Sequence, residues 1–305
     1  MVNNILNSNP DNVNGNFELI LQGVPINSLM TIQNKNLNPD NFTHSAEISI
    51  NGVRITIRNY NNLKIDTTTF RFLDYLLIKM CKYLPYDRNN PATDDKLSQW
   101  QIIKISVSDY MKMTDLSNQS RTKSQIEESL TALQNLSLSW CEKVYKKKKI
   151  NYIDFDMNIV TAFEPIRGGF YIRFDMKFLR YLSNYSYIMP FDIRIFKIDL
   201  HKNPNSYQIV KRLLLHLNMN QGKSNHNIIS VKKLLEFTTL PAYIDIKQIG
   251  GIQQRIVEPF KRDINYLVEI GILSNVIVPN ISDYKNWSRS NVTFIISDYP
   301  YKSKS

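Results

Sequence analysis

One order of segments occurs twice along this chain. Between about Thr68 and Ile172, a long amphipathic stretch precedes a short helical stretch, then a longer one carrying basic and amide residues, then β-rich segments. The same order returns between about Ile198 and Ile296. In the first copy, Phe70, Leu73, Leu76, Leu77, Met80 and Leu84 keep helical spacing after a cap at Thr67–Thr69, and Pro85 closes the helix. Trp100–Ile105 reads as a strand, and Ser106 or Ser108 caps a short helix through DYMKM. Asn118–Leu136 follows, with Ile126, Leu130, Leu133 and Leu136 on one face. Leu138–Tyr145, Asn151–Met157 and Phe170–Phe174 read as strands, the last after a Gly168-Gly169 turn. In the second copy the helical stretches are Asn205–Met219, Val231–Phe237 behind Ser230, and Gly251–Ile270, whose inner stripe is Ile256, Phe260, Ile264 and Leu267. Pro259 predicts a kink or a late start in that last helix, and Gly271 predicts its C-terminal cap. Leu273–Val278 and Val292–Ser297 pair across the polar loop Asn280–Asn291.

Helix, helix, helix, hairpin is the order of a winged helix, the helix-turn-helix variant that lays its last helix in the DNA major groove. The predicted fold class is therefore α+β, with two tandem winged-helix domains. Residues 1–66 are read as a disordered tail and an N-terminal β-hairpin, the tail from its Asn, Asp, Ser and Gly content. The hairpin comes from the alternation of Glu47–Arg58 about Asn51-Gly52, a strong type I′ turn signal. Residues 67–178 form the first domain, 179–197 a linker with Pro190 in its irregular part, Tyr185–Ile195, and 198–300 the second domain.

Charge narrows the partners. Lys plus Arg number 38 against 27 Asp plus Glu, a formal net charge of +11 over 305 residues. An excess of that size favours polyanions, nucleic acid before an acidic membrane surface. Charge alone does not choose among DNA, RNA and lipid. Cys81 and Cys141 stand far apart and near no other soft ligand, so neither a disulfide framework nor a zinc spacing is available. Cys81 lies on an apolar helix and is read as core. The polar N-terminus lacks a hydrophobic signal region, and no apolar run approaches the ~18 residues of a membrane span. A reducing cytoplasm is the simplest compartment, with no membrane partner and no cofactor.

Two helices carry the candidate DNA-reading residues. On the first, Asn118, Gln119, Ser120, Arg121, Lys123 and Gln125 lie off the apolar stripe in its N-terminal half. Arg pairs bidentately with guanine, and Asn or Gln with adenine. On the second, the candidates are Gln248, Gln253, Gln254, Arg255, Lys261 and Arg262, with Gln253, Gln254 and Arg255 as base readers and Lys261 and Arg262 as phosphate clamps. A capped helix with a solvated polar face is the competing explanation for both. The run Lys143–Lys149 sets Lys146, Lys147, Lys148 and Lys149 at the tip of a hairpin, where a wing lies along the phosphate backbone. A charged edge turn that blocks aggregation explains the lysines equally well.

Other motifs carry less. Asp154 and Asp156 share one face of a strand, and paired acids can hold Mg²⁺, but no third acid or partner His accompanies them. Gln221-Gly222-Lys223-Ser224 ends like a phosphate loop, yet Leu217 occupies the position of the first glycine. His44, His201, His216 and His226 form no H-x-H pair of the nicking-relaxase type.

The stretch ISVSDYMKMTDLSNQSRTKSQIEESLTALQNLSLSW resembles the first winged helix of replication initiators from plasmids and integrative elements of low-GC Gram-positive bacteria. SYQIVKRLLLHLNMNQGKSNHNIISVKKLL, with QQRIVEPFKRDINYLVEIGIL after it, resembles their second. The resemblance spans roughly residues 67 to 297 and departs at Pro259. It implies a double-stranded origin DNA partner bound at repeated sites, a host helicase or primase to be recruited, and a homodimer formed through the first domain. It places the two recognition helices at residues 118–125 and 252–262. The alternatives are a winged-helix transcriptional regulator and, behind it, a primase-like enzyme using Asp154 and Asp156.

Overall fold

The computed structural model describes residues 15–23, 26–27, 29, 45–50, 53–59, 65–84, 92–146, 149–240, 251–280 and 284–300. Most of the N-terminal tail, the Asn51-Gly52 turn, Gln248, Lys147, Lys148 and the last five residues lie outside them. The chain divides into two compact units, Leu21–Tyr187 and Met1–Ile20 with Ile188–Ser305.

In the first unit, helix α1 (Thr67–Tyr83) buries Phe70, Leu73, Leu76, Leu77 and Met80, as the spacing predicts. Its cap is Asp66 rather than a threonine: the carboxylate accepts the Thr69 backbone N–H at 3.1 Å. A carboxylate also meets the positive end of the helix dipole, which favours it over a hydroxyl there. Cys81, on the last turn, is half-buried rather than core. A short helix, α2 (Asp94–Ser98), follows and buries its own Leu97.

Strand β4 (Ile102–Ser106) runs directly into α3 (Val107–Thr114), where Ser106 Oγ accepts the Asp109 N–H. Asp115 ends α3 in the left-handed region, at φ 56°. Helix α4 (Gln119–Gln134) then buries Thr122, Ile126, Leu130 and Leu133 along one stripe. Strands β7 (Val160–Ile166) and β8 (Gly169–Phe174) close an antiparallel sheet in the order β4-β8-β7, and Gly168 supplies the positive φ of the turn. β7 is invisible to pattern reading because Pro165 interrupts its alternation. Proline is tolerated there because β7 is an edge strand.

A second sheet in this unit combines strands that precede α1 with a hairpin inserted between α4 and β7. The hairpin β2 (Ser45–Ile50) and β3 (Val53–Asn59) does not stand alone. β3 pairs with β5 (Leu136–Lys146), which pairs with β6 (Lys149–Asn158), giving the order β2-β3-β5-β6. The register Ile55↔Trp140 and Ile57↔Leu138 sets four apolar side chains on the buried face. Helix α5 (Met176–Asn184) packs there through Tyr181, edge-on to Trp140 at 5.2 Å, while Trp140 stacks on Phe155 at 4.6 Å.

The second unit opens on structure where an irregular linker was predicted. β9 (Tyr187–Asp192) pairs with β1 (Phe17–Gln22) and leads into a 3₁₀ turn, Ile193–Lys197. Met189 and Phe191 alternate inward and are fully buried, which outweighs Pro190 as a strand signal. Arg194 binds Asp192 at 2.6 Å and donates to the Gly271 carbonyl at 2.7 Å. Burial raises the Asp192 carboxyl above its ordinary range, and the Arg194 contacts oppose that rise.

Helix α6 (Ser206–Asn220), strand β10 (Ile228–Ser230) and helix α7 (Val231–Leu235) follow, with Ser230 Oγ accepting the Lys233 N–H as predicted. The next helix begins with a π-turn, Gln253–Val257, and continues as α8 (Glu258–Glu269). Pro259 sits in the first turn of α8, so the predicted disturbance is a change of helix type just ahead of it. Proline lacks the N–H that a continuous α-helix would use, and the wider turn accommodates it. Gly271, at φ 74°, ends α8 as predicted, with the Ile272 N–H reaching back to the Leu267 carbonyl at 3.0 Å. Strands β11 (Leu273–Ile277) and β12 (Asn291–Ile296) complete a sheet of order β10-β12-β11. The connecting loop holds a further helix, α9 (Tyr284–Arg289), whose Trp287 is buried edge-on against Phe260 at 5.5 Å.

The fold class is α+β, as predicted. Each unit has a three-stranded antiparallel sheet whose first strand pairs with its last, with a helix (α4 in one, α8 in the other) ahead of the middle strand of the chain order. That is the connectivity of a winged helix. The match extends to single bonds. The Val107 N–H donates to Gly168 O at 2.9 Å, and the Val231 N–H donates to Ser290 O at 3.0 Å, each just before the sheet's third strand.

Candidate nucleic-acid interface

Helix α4 presents its predicted residues to solvent. Asn118, Gln119, Ser120, Arg121 and Lys123 are exposed, and Gln125 is half-buried. The reason is the stripe: Thr122, Ile126, Leu130 and Leu133 face the core, so the intervening positions face out. Asn118 has a further task. Its Oδ1 accepts the Arg121 N–H at 2.9 Å, which makes it the cap of α4. Thr122 Oγ1 donates to the Asn118 carbonyl at 2.7 Å and tightens the same turn.

On the helix of the second unit, Gln253, Gln254 and Arg255 lie within the π-turn and are exposed. Ile256 and Val257 behind them are buried, so the wide turn holds three polar side chains out over two apolar ones. Lys261 is half-buried and Arg262 exposed. Arg262 is not an isolated cation. Its Nη2 lies 3.0 Å from Asp263 Oδ1 and its Nε 3.1 Å from the same oxygen. Asp263 is fully buried and accepts the Asn205 N–H at 3.1 Å and the Asn205 side-chain amide at 2.8 Å. Part of Arg262 therefore serves the joint between α8 and the start of α6.

The lysine run belongs to the insertion, not to the wing of the three-stranded sheet. Lys146 pairs with Lys149 at the end of the β5–β6 hairpin, and residues 147–148 lie between them. The wing turn of that unit is instead at Arg167-Gly168, between β7 and β8, where Arg167 is exposed. Sequence reading missed Arg167 because β7 was not recognised. The Gly168-Gly169 signal with an adjacent arginine was available to find it.

The acidic pair is placed as predicted and engaged otherwise. Asp154 and Asp156 are both exposed on β6, and Asp156 lies 3.8 Å from Arg58 on the same sheet. Among the described residues no group of three His, Cys, Asp or Glu could hold a metal ion. His216, on α6, donates or accepts with Asn220 and lies edge-on to Phe294 at 6.3 Å. Burial lowers its pKa below 6.5, and the nearby Arg212 adds to that.

Residues 53–197 match the family model described as "Initiator Replication protein, WH1". The match covers β3 through the 3₁₀ turn, and so includes α4 and the wing. None of the curated proteins compared with the chain matches it. Among solved structures, the Pi initiator protein in complex with iteron DNA is 14% identical at a TM-score of 0.49, covering 92% of this chain and 98% of its own. Domains 2–3 of RctB are 11% identical at 0.46, covering 83% and 91%. Selenomethionine derivatives of domains 2 and 3 of RctB are 12% identical at 0.48, covering 90% and 99%.

Proposed function

We propose that this protein is a replication initiator that binds repeated sites in duplex origin DNA and performs no catalysis of its own. The observation that carries the reading is the initiator WH1 match over residues 53–197, on a unit whose helix α4 exposes Gln119, Arg121 and Lys123. The second unit repeats the sheet order and exposes Gln253, Gln254 and Arg255 on the corresponding helix. A net charge of +11 supplies the sequence-independent attraction to phosphate. The ion pair of Asp156 with Arg58 supports a charge-pairing role for that carboxylate.

On this reading Arg121, Arg255 and the glutamines beside them contact base edges, and Lys123, Lys146–Lys149 and Lys261 contact phosphates. Association through the first domain gives a homodimer, and the host helicase or primase is recruited to the opened origin. The protein works in the bacterial cytoplasm, on a plasmid or integrative element. No helix among the described residues is long and apolar enough to cross a membrane.

Selection of bound duplexes from a random pool at about 150 mM salt tests the reading, because that ionic strength suppresses purely electrostatic binding. Recovery of a motif compatible with direct repeats supports an initiator. A single palindrome favours a transcriptional regulator on the same fold. Recovery of no motif overturns sequence-specific binding.

A further inference from the structure

An uninterrupted α-helix from Gly251 to Ile270 would present a different set of side chains from the one observed. Successive residues turn about 100° around an α-helix. On that count Gln253 lies within about 30° of the centre of the stripe made by Ile256, Val257, Phe260, Asp263, Ile264 and Leu267, all of them buried. Gln253 would then point into the core, and Ile252 would swing away from it. The reverse is observed. Gln253 is exposed, together with Gln254 and Arg255, and Ile252 is half-buried.

The π-turn Gln253–Val257 accounts for the reversal. The Glu258 N–H donates to the Gln253 carbonyl, five residues back instead of four. One extra residue in a turn rotates what precedes it by about 100° relative to the helix that follows. That rotation brings Ile252 onto the buried stripe and carries Gln253 off it. Pro259 holds the turn open. An α-helix needs an N–H at position 259 for the Arg255 carbonyl, and proline has none; in α geometry its ring also crowds that carbonyl. The other end of the turn is set by Gly251, at φ 79°, whose carbonyl accepts the Arg255 N–H at 2.9 Å. The Arg255 side chain lies over this glycine, where a Cβ would stand 3.6 Å from its Nε and 3.7 Å from its Cδ. The first unit has no counterpart: α4 opens on the Asn118 side-chain cap and contains no proline.

We infer that Pro259 is a specificity-determining residue of the second unit that acts from behind the exposed side chains. By keeping the helix start as a π-turn, it puts Gln253 rather than Ile252 in front of a duplex. This rests on the duplex-binding reading above. The two side chains read different features of a base pair: an amide exchanges hydrogen bonds with a base edge, and an aliphatic group packs on a thymine methyl. Pro259 carries no charge and no donor, so its effect falls on base preference and not on the attraction to phosphate.

The test uses the full chain as wild type, Pro259→Ala and Gly251→Ala, with motif selection from a random duplex pool, a salt-dependent titration and thermal melting for each. Alanine restores the N–H at position 259, and protection of that amide from hydrogen exchange, read by NMR, reports a new bond to Arg255. Pro259→Ala is expected to protect the amide, to change base preference at some positions of the motif and not at others, and to bind the wild-type site about tenfold or more weakly. Affinity for random duplex and the salt slope stay as in wild type, because no charge changes. An unchanged motif overturns the inference whatever the melting temperature does, since that is what a merely structural proline predicts. A changed motif with an unprotected amide also overturns it, because the π-turn has then persisted. Gly251→Ala strains the positive φ and crowds the Arg255 side chain, so it should weaken preference at the same positions. If Pro259→Ala does not fold, this second variant decides, and a wild-type motif from it overturns the inference. A wild-type protein that selects no motif overturns the duplex-binding reading itself, a result distinct from the others.

Discussion

Replacing Asp263 by alanine should destabilise the second unit while touching no residue proposed to meet a base. The Asp263 side chain is fully buried, and it satisfies two donors of Asn205, the backbone N–H at 3.1 Å and the side-chain amide at 2.8 Å. Asn205 is itself buried and stands at the start of α6, so water does not replace the lost acceptor. Each buried donor left unpaired costs about 1–3 kcal/mol. The Arg262 side chain is 54% exposed, and solvent screening reduces its contribution to about 0–1 kcal/mol. The sum is about 2–7 kcal/mol, which brackets the about 3–5 kcal/mol expected for removing one partner of a buried charged pair. Urea unfolding followed by far-UV circular dichroism measures the loss, and Asp263→Asn, which keeps an acceptor oxygen, should lose less. The double variant with Asn205→Ala should show a coupling of about 0.5–3 kcal/mol. A loss under about 1 kcal/mol for Asp263→Ala, or strict additivity with Asn205→Ala, would refute the account of this joint.

Replacing Lys146–Lys149 by alanine should weaken binding to all duplexes alike and flatten the dependence of affinity on salt, with the selected motif unchanged, as read by fluorescence anisotropy across a salt series. His216 links stability to pH: its folded pKa lies below 6.5, so its contribution is fully present above pH 6.5 and is lost as pH falls through the folded value. Chemical denaturation at pH 7.5 and pH 5.5 should show the wild type losing more stability on acidification than His216→Gln. Gly169→Ala should cost about 1–3 kcal/mol, because an added Cβ would run into the backbone carbonyl of Ile105 on the neighbouring strand. Thermal melting checks it, and a wild-type Tm would show that the two strands can separate freely.

Much of this protein was legible because its helices obey local rules. The buried stripes of α1, α4 and α8 follow the 3.6-residue period, and the Ser106, Ser230 and Gly271 caps fall where side-chain chemistry requires them. Those stripes fixed which side chains of α4 face solvent, so the exposure of Gln119 and Arg121 followed from spacing alone. Pairing between distant strands was not legible. The Lys146–Lys149 hairpin read as a wing, and only the register of β3 on β5 shows that it belongs to a second sheet instead. The Tyr187–Asp192 strand read as a linker because its partner, Phe17–Gln22, lies some 170 residues earlier in the chain. Arg262 read as a phosphate clamp because the carboxylate beside it is ordinary in sequence. It becomes a structural partner only where packing removes Asp263 from water and brings Asn205 to it. Periodicity and capping act within one or two helical turns, and one chain displays them. Strand partnership and the desolvation of a charge depend on residues that only the folded chain brings together.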